Sequence, residues 1–283
     1  MGNLLWLASY PKSGNTWVRA FLENYVQDPP GPVDINVLFK HSLDEAKAWR
    51  YAPYTNGRPT IELSIEETCV LRPRVQADMA AKAHGTEFAK THNFFGEYAG
   101  FPLQNPSVTA GAIYIVRNPL DVVISMAGYF GLNLDEAIDF MGEEMTGSLH
   151  DDENVSQVIS SWSMNVRSWT EHEHEQMLVI RYEDMLDKPE KVFAKVVAFL
   201  GMDKDKNRLN KAIKFSSFDQ LKAQEQKHGF IERQQTAQSF FREGRKNQWR
   251  QKLNDAQIKK IIDQHGDQME RFKYIPQNGP RSN

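Results

Sequence analysis

Lys12, Ser13, Gly14, Asn15 and Thr16 stand together in "WLASYPKSGNTWVRAFLENY", between a short apolar run and an amphipathic segment. That order suits a strand that runs through a loop into a helix. The first backbone N–H groups of a helix have no intrahelical partners and point into the preceding loop, where an anion can accept from them. Gly14 lets the backbone come close to a ligand, Ser13 and Thr16 add hydroxyl donors, and Lys12 adds a full positive charge. These are the parts of a phosphate cradle. The nucleoside-triphosphate loop G-x-x-x-x-G-K-[ST] is absent, because Lys12 precedes the glycine and no glycine opens the loop. The same residues also suit an ordinary helix start, with Ser13 or Asn15 as the cap and Lys12 solvated.

A second group lies in "IYIVRNPLDVVISM", Ile113 to Met126, where a strand delivers Arg117 at its C-terminal end and the following helix carries Ser125. Ligands in open α/β sheets bind at the C-terminal ends of strands, so Arg117 is placed to meet another anionic group. A surface pair of Arg117 with Asp121 would be the plainer arrangement. In "FAKTHNFF" another strand ends in Lys90 and His92. A single imidazole specifies little, and its place at a strand end is what points to chemistry. "SFFREGRKNQWR" sets Arg242, Arg245, Lys246 and Arg250 around Gly244, either as a solvated basic run or as a loop closing over a phosphate. "EHEHE", Glu171 to Glu175, places His172 and His174 two apart, which does not converge on a metal, so it reads as a solvated helix end and no metal site is expected.

These residues need a scaffold that presents strand ends. Short apolar runs alternate with longer amphipathic ones, which argues for βα units. The expected fold is α/β: a central, mostly parallel sheet with helices on both faces and a P-loop-like strand-loop-helix at Lys12. The expected strands are Leu4 to Ser9, Thr86 to Thr91, Ala112 to Arg117 and Met177 to Tyr182. Helices are expected at Thr16 to Val26, Leu120 to Tyr129, Asn154 to Glu171, Pro189 to Leu200, Leu209 to Gln224 and Asp255 to Met269. In the third of these Val158, Trp162, Val166 and Trp169 share a helical stripe that reads as core. "QDPPGPVDI" and the span from Tyr51 to Pro59 read as irregular.

A chain of 283 residues with 40% hydrophobic content can bury a substantial core. One domain over residues 1–274 is expected, with 275–283 a flexible Pro/Gly-rich tail. The net charge of −3 gives no global basic bias, which argues against a nucleic-acid partner. Cys69 is the only cysteine, which excludes an internal disulfide and suits a reducing compartment. "LLWLA" is far below the roughly 20 residues of a membrane span, and no charged n-region precedes it. A soluble, cytoplasmic protein is expected.

In this order the segments resemble the cytosolic-type sulfotransferases that use 3′-phosphoadenosine 5′-phosphosulfate as donor. "YPKSGNTW" is similar to the family's 5′-phosphosulfate loop, "YIVRNPLDVVIS" to its 3′-phosphate motif, "KTH" to its catalytic strand end, "RYEDM" to its adenine-side segment and "FREG" to its late phosphate-binding loop. The resemblance implies that Lys12, Ser13, Gly14, Asn15 and Thr16 hold the 5′-phosphosulfate and that Trp17 borders the adenine. It implies Arg117, Ser125, Arg242 and Gly244 at the 3′-phosphate, with Tyr182, Ser216, Ser217 and Phe218 as nucleoside contacts. His92 matches the catalytic base and Lys90 a second lysine near the transferred group. Asn15 stands where many animal members have Thr. Glu243 replaces a lysine, removing one positive charge beside the 3′-phosphate, for which Arg245 or Lys246 could compensate. The region after Trp249 does not reproduce the animal dimerisation motif, so the oligomeric state stays open.

Sulfuryl transfer should resemble phosphoryl transfer, with catalysis by positioning and charge stabilisation. Lys12 would meet charge growing on the leaving oxygen. His92 would take the acceptor's proton, since an imidazole with its ordinary pKa of roughly 6.5 can do so near neutral pH. The resemblance further implies that Ser125 holds Lys12 off the donor until the acceptor arrives. The segments from His41 to Val75 and Gly128 to Asp152 are expected to wall the acceptor site, with Phe94, Phe95, Tyr129 and Phe130 as apolar contacts. The form of the first loop is similar to bacterial members, some acting on natural products or glycopeptides, which implies a small-molecule or natural-product hydroxyl acceptor and, less readily, an amine. Two other readings remain: a small-molecule kinase, and a nucleotide-binding protein without catalysis.

Overall fold

The computed structural model describes residues 2–40, 42–145, 147–148, 150–171, 174–234 and 237–276. Its elements begin with β1 (Asn3–Ser9), α1 (Asn15–Gln27), β2 (Ser42–Asp44), α2 (Ala48–Tyr51), α3 (Ile65–Ala81) and β3 (Thr86–Thr91). They continue with β4 (Glu97–Tyr98), β5 (Phe101–Pro102), β6 (Thr109–Val116), α4 (Pro119–Phe130), α5 (Leu134–Gly142) and α6 (Trp162–Thr170). The last third holds β7 (Met177–Arg181), α7 (Tyr182–Asp187), α8 (Pro189–Phe199), α9 (Lys206–Phe215), α10 (Phe218–His228), α11 (Trp249–Lys252) and α12 (Asp255–Arg271). The sheet order is β2-β3-β1-β6-β7, with β4 and β5 forming a separate antiparallel ribbon. The fold is α/β with a mostly parallel central sheet accompanied by helices.

The chain divides into two compact units, Met1–Tyr10 with His41–Tyr114 and Glu143–Val179, and Pro11–Lys40 with Ile115–Gly142 and Ile180–Asn283. In the first, β1 is apolar from Leu4 to Ala8 and buried along that run, the pattern of a strand covered on both faces. It pairs in parallel with β3, and the register Leu7↔Lys90, Ala8↔Thr91 brings the two C-terminal ends side by side. Helix α3 starts at a capping box in which Ser64 and Glu67 satisfy each other's backbone N–H groups. Its inward face carries Thr68, Arg72 and Gln76 beside Cys69, Val75 and Met79. That mixed face hides the helical period from a hydrophobicity scan, so the sequence reading missed the helix. Arg72 and Glu45, both without solvent exposure, pair at 2.6 Å, and the Glu45 carboxylate also accepts from Tyr51 and Asn93.

In the second unit a core gathers Ala20, Ile35, Leu38, Leu221, Phe230 and Phe241. Phe21 stacks on Phe193 with ring centroids 4.0 Å apart, joining α1 to α8. Asn133 and Glu136 cap each other's backbone at the start of α5, a second helix the sequence reading missed. At the far end of the described chain the Tyr274 hydroxyl donates to Glu183 at 2.7 Å.

Two expected helices are corrected. The one from Asn154 to Glu171 is helical only over Trp162–Thr170. Val155 and Ser148 instead make backbone bonds with Ala46 and Gln157, Ser160 sits at φ 63°, and Ser161 caps α6 by accepting from Met164 N–H. The stripe from Trp162 to Trp169 is core, whereas Val158 is buried from a non-helical segment. The expected helix from Leu209 to Gln224 is two, α9 and α10, parted at Ser216 and Ser217. The Ser216 hydroxyl turns back to the Ala212 carbonyl and Ser217 takes the extended cap conformation. Most of the expected tail, 277–283, lies outside the described residues.

His265 of α12 is 2% exposed, and burial holds its imidazole down at about 4 from 6.5. Because the folded value is depressed, its contribution is complete above pH 6.5 and declines as pH falls toward 4, where the unfolded chain alone binds the proton. Urea titrations from pH 7 to 4 should show the wild type losing up to about 3 kcal/mol more than His265→Leu over that range.

Candidate functional site

In the second unit the chain leaves β1 and makes a tight loop in which Lys12 takes φ 64° and Gly14 φ 104° before α1 begins. Gly14 is the N-cap residue and α1 has no side-chain cap. The Ser13 hydroxyl and the Trp17 indole N–H are buried with no hydrogen-bond partner among the described residues. The plainer reading of the loop, with Ser13 or Asn15 as cap, therefore does not hold. A Cβ at position 14 would stand 2.7 Å from the Tyr182 ring, so the close approach of loop and ring requires glycine there.

Arg117 follows β6 and is 6% exposed. Its guanidinium donates to the Lys12 carbonyl at 2.7 Å and lies 4.3 Å from the Tyr182 ring centroid, leaving Nε without a partner among the described residues. Arg117 thus braces the loop. Burial pushes the Tyr182 phenol up, against the pull of Arg117. Asp121 is buried, and its carboxylate accepts from the Asn247 and Trp249 backbone N–H groups at 2.6 and 3.1 Å, which ties the late basic loop to α4. Burial raises that carboxyl, opposed by Arg117 and those N–H groups. Asn118 caps α4, and its own N–H donates to Glu183.

Arg242 lies against α4, where its guanidinium reaches the Ile124 carbonyl at 3.4 Å and would collide with any Cβ at Gly128. The close approach of Arg242 to Gly128 is a contact the sequence reading did not anticipate, although a glycine inside a predicted helix was the available signal. Gly244 takes φ 61° over the Phe218 ring. Glu243 is neutralised by Arg245 at 2.5 Å and by Lys252, with its carboxyl lowered by the hydrogen bond from Lys252 first. Lys246, the other expected compensator, pairs with Asp187 instead. Ser125 is half-buried on α4, one turn before Tyr129. Tyr129 and Phe240 flank the Lys12 ammonium, each ring centroid 3.7 Å from Nζ. Ser216 is occupied with its own helix.

In the first unit His92 lies one residue beyond β3. Its N–H donates to Gln157 at 2.8 Å and its carbonyl accepts from Asn165 at 3.0 Å. Asn93 bonds to Glu45, and Trp169 donates to the Asn93 carbonyl. The ring's Nδ1 is 2.7 Å from the Ser9 carbonyl at the end of β1. A carbonyl only accepts, so Nδ1 carries the proton and a neutral ring keeps its lone pair on Nε2. Lys90 pairs with Asp44 at 3.0 Å. Phe94 belongs to a core cluster with Cys69, Leu103 and Val158, and Phe95 is 44% exposed beside Trp169. A shallow concavity is lined by Ala52, Thr55, Arg58, Ile61 and Asp152, within the segments expected to wall an acceptor.

His172 and Glu173 of the "EHEHE" run lie outside the described residues, while Glu171 pairs with Arg167 and His174 accepts from Gln176 N–H. Among the described residues no group of three or more His, Cys, Asp or Glu gathers as metal ligands, and no helix is long and apolar enough to cross a membrane. Histidine-selective 15N labelling, with His92→Gln for assignment, should show Nδ1 protonated and Nε2 bare in the neutral His92 ring. The opposite tautomer would detach the ring from Ser9.

A family model described as a sulfotransferase domain matches residues 3–273. Sulfotransferase 2A2 of Rattus norvegicus is 30% identical over 156 residues, which is 53% of this chain and 53% of that protein. The match thus spans little more than half of that relative. Sulfotransferase 1 family member D1 of Mus musculus is 26% identical over 281 residues, 93% of this chain and 82% of that one. The crystal structure of mouse sulfotransferase SULT7A1 complexed with PAP superposes with a TM-score of 0.64 at 21% identity, covering 96% of this chain and 85% of that one. At that identity the likeness speaks for the fold.

Proposed function

Because the chain belongs to the sulfotransferase family, we propose that it moves a sulfuryl group from 3′-phosphoadenosine 5′-phosphosulfate to a hydroxyl, or less readily an amine, of a small-molecule or natural-product acceptor. The observation that carries this reading is the loop from Lys12 to Thr16. Its buried Ser13 hydroxyl and the Nε of the bracing Arg117 are donors with no partner among the described residues, a set that suits a doubly anionic ligand. The PAP bound in the SULT7A1 structure is of that kind.

The donor supplies an activated sulfuryl group on a phosphate leaving group. Lys12, with the first N–H groups of α1, would hold the 5′ end and stabilise negative charge at the leaving oxygen. Arg117, Ser125, Arg242 and Gly244 would hold the 3′-phosphate. Glu243 is no obstacle, since Arg245 and Lys252 cancel its charge. Trp17 and Tyr182, ring centroids 5.8 Å apart, with Ser217 and Phe218, would border the nucleoside. The unprotonated Nε2 of His92 would take the acceptor's proton, its ring held by Ser9. Lys90, kept in place by Asp44, would add charge near the transferred group. We propose that the two units serve one catalytic domain, as the family match from residue 3 to 273 supports. A cytoplasmic setting agrees with the lone free Cys69.

Calorimetric titration with adenosine 3′,5′-bisphosphate, ADP and ATP tests the reading. The bisphosphate should bind in preference to the other two, and Arg117→Ala should weaken it by at least about tenfold through loss of a charge-assisted contact. Preference for ATP would favour a kinase. His92→Ala should keep bisphosphate affinity while transfer from labelled donor falls by about 10²- to 10⁴-fold.

A further inference from the structure

Lys12 is anchored in a loop and has a long flexible side chain, yet its Nζ is withdrawn from solvent. The rings beside it, Tyr129 and Phe240, stand nearly perpendicular at 86° with centroids 5.7 Å apart. Each is held from behind. The Tyr129 hydroxyl donates to the Glu232 carbonyl at 2.8 Å, and the Glu232 carboxylate pairs with the buried Arg19 of α1 at 2.7 Å. Phe240 packs on Phe230 and Phe241 at 4.8 and 5.0 Å, and its N–H donates to Glu225 at 2.7 Å.

A carboxylate in that place would attract the ammonium more strongly but would cancel the charge the loop needs. Aromatic faces attract a cation through their quadrupole and leave its full charge in place. They also shed the rotamer freedom that a lysine would otherwise lose on meeting a ligand. We infer that Tyr129 and Phe240 are positioning residues for Lys12, an aromatic cage that holds the ammonium in place toward the leaving oxygen. The inference rests on the sulfotransferase reading and assigns Tyr129 to the lysine rather than to an acceptor wall.

Replacing Phe240 with 4-fluoro-, 3,5-difluoro- and 3,4,5-trifluorophenylalanine weakens the quadrupole with little change of shape, which a purely structural role would not register. The rate constant kcat should fall stepwise, by about tenfold across the series, while the Kd for adenosine 3′,5′-bisphosphate stays within about twofold. Tyr129→Leu should lower kcat similarly, and Tyr129→Phe, which keeps the ring and loses only the hydroxyl bond to Glu232, should recover most of it. A flat kcat across the fluorinated series, in a protein whose wild type transfers sulfate, overturns the cage and leaves the functional reading intact. A wild type that neither binds the bisphosphate nor transfers sulfate removes the functional reading, and the cage's role with it.

Discussion

Parallel pairing of β1 with β3 is the constraint on which the site depends. In a parallel ladder both strands finish on the same side, and the register Ala8↔Thr91 makes Ser9 and His92 the next residues on each. Because β1 is buried along Leu4–Ala8, a one-residue slip would disrupt packing throughout the strand, so the register has no near competitor. The Ser9 carbonyl, at the last residue of β1, accepts the hydrogen bond from His92 Nδ1–H. A feature of backbone geometry thereby selects the tautomer of a side chain.

Around His92 the protein spends polar groups inside its core. Glu45 and Arg72 are both without solvent exposure, and such a pair contributes little net stability against two desolvated charges. What it does is hold geometry. Glu45 gathers Arg72, Tyr51 and Asn93, and Asn93 in turn accepts from Val158 N–H and Trp169, so the backbone after β3 is bonded on several sides. Removing one member would leave a buried charge or amide unsatisfied, and that penalty makes the arrangement rigid.

Lys12 and Arg117 of the second unit are held differently from Arg72. Arg117 meets a carbonyl and an aromatic face, and two rings flank the Lys12 ammonium. The buried carboxylates of this region are directed to backbone N–H groups: Asp121 to Asn247 and Trp249, Glu183 to Asn118. Glu243 would break this pattern, and Arg245 with Lys252 absorb it at the surface.

Local information carried much of this. The apolar run before Lys12, the polar loop and the helix after it are adjacent in sequence, so the strand-loop-helix and the strand ends at Arg117 and His92 were legible without tertiary contacts. So were the core positions of Trp162 and Trp169, whose period survives in a short helix. What local pattern could not reveal was anything settled by a distant partner. The face of α3 is polar because Arg72 and Gln76 have partners far along the chain, the Glu45 carboxylate and the Leu103 carbonyl. The chain from 154 to 161 has helical spacing but bonds to Ala46 and Ser148, which outweighs weak intrinsic preference. Tyr129 looked like any aromatic on α4 until Phe240, 111 positions on, placed a second ring beside the same ammonium. Sequence alone determined the strand-loop-helix that carries Lys12 and the strand ends that deliver Arg117 and His92, because those depend on neighbours in the chain. Tertiary structure alone decided how their charges are braced, because bracing depends on contacts between residues that the chain keeps far apart.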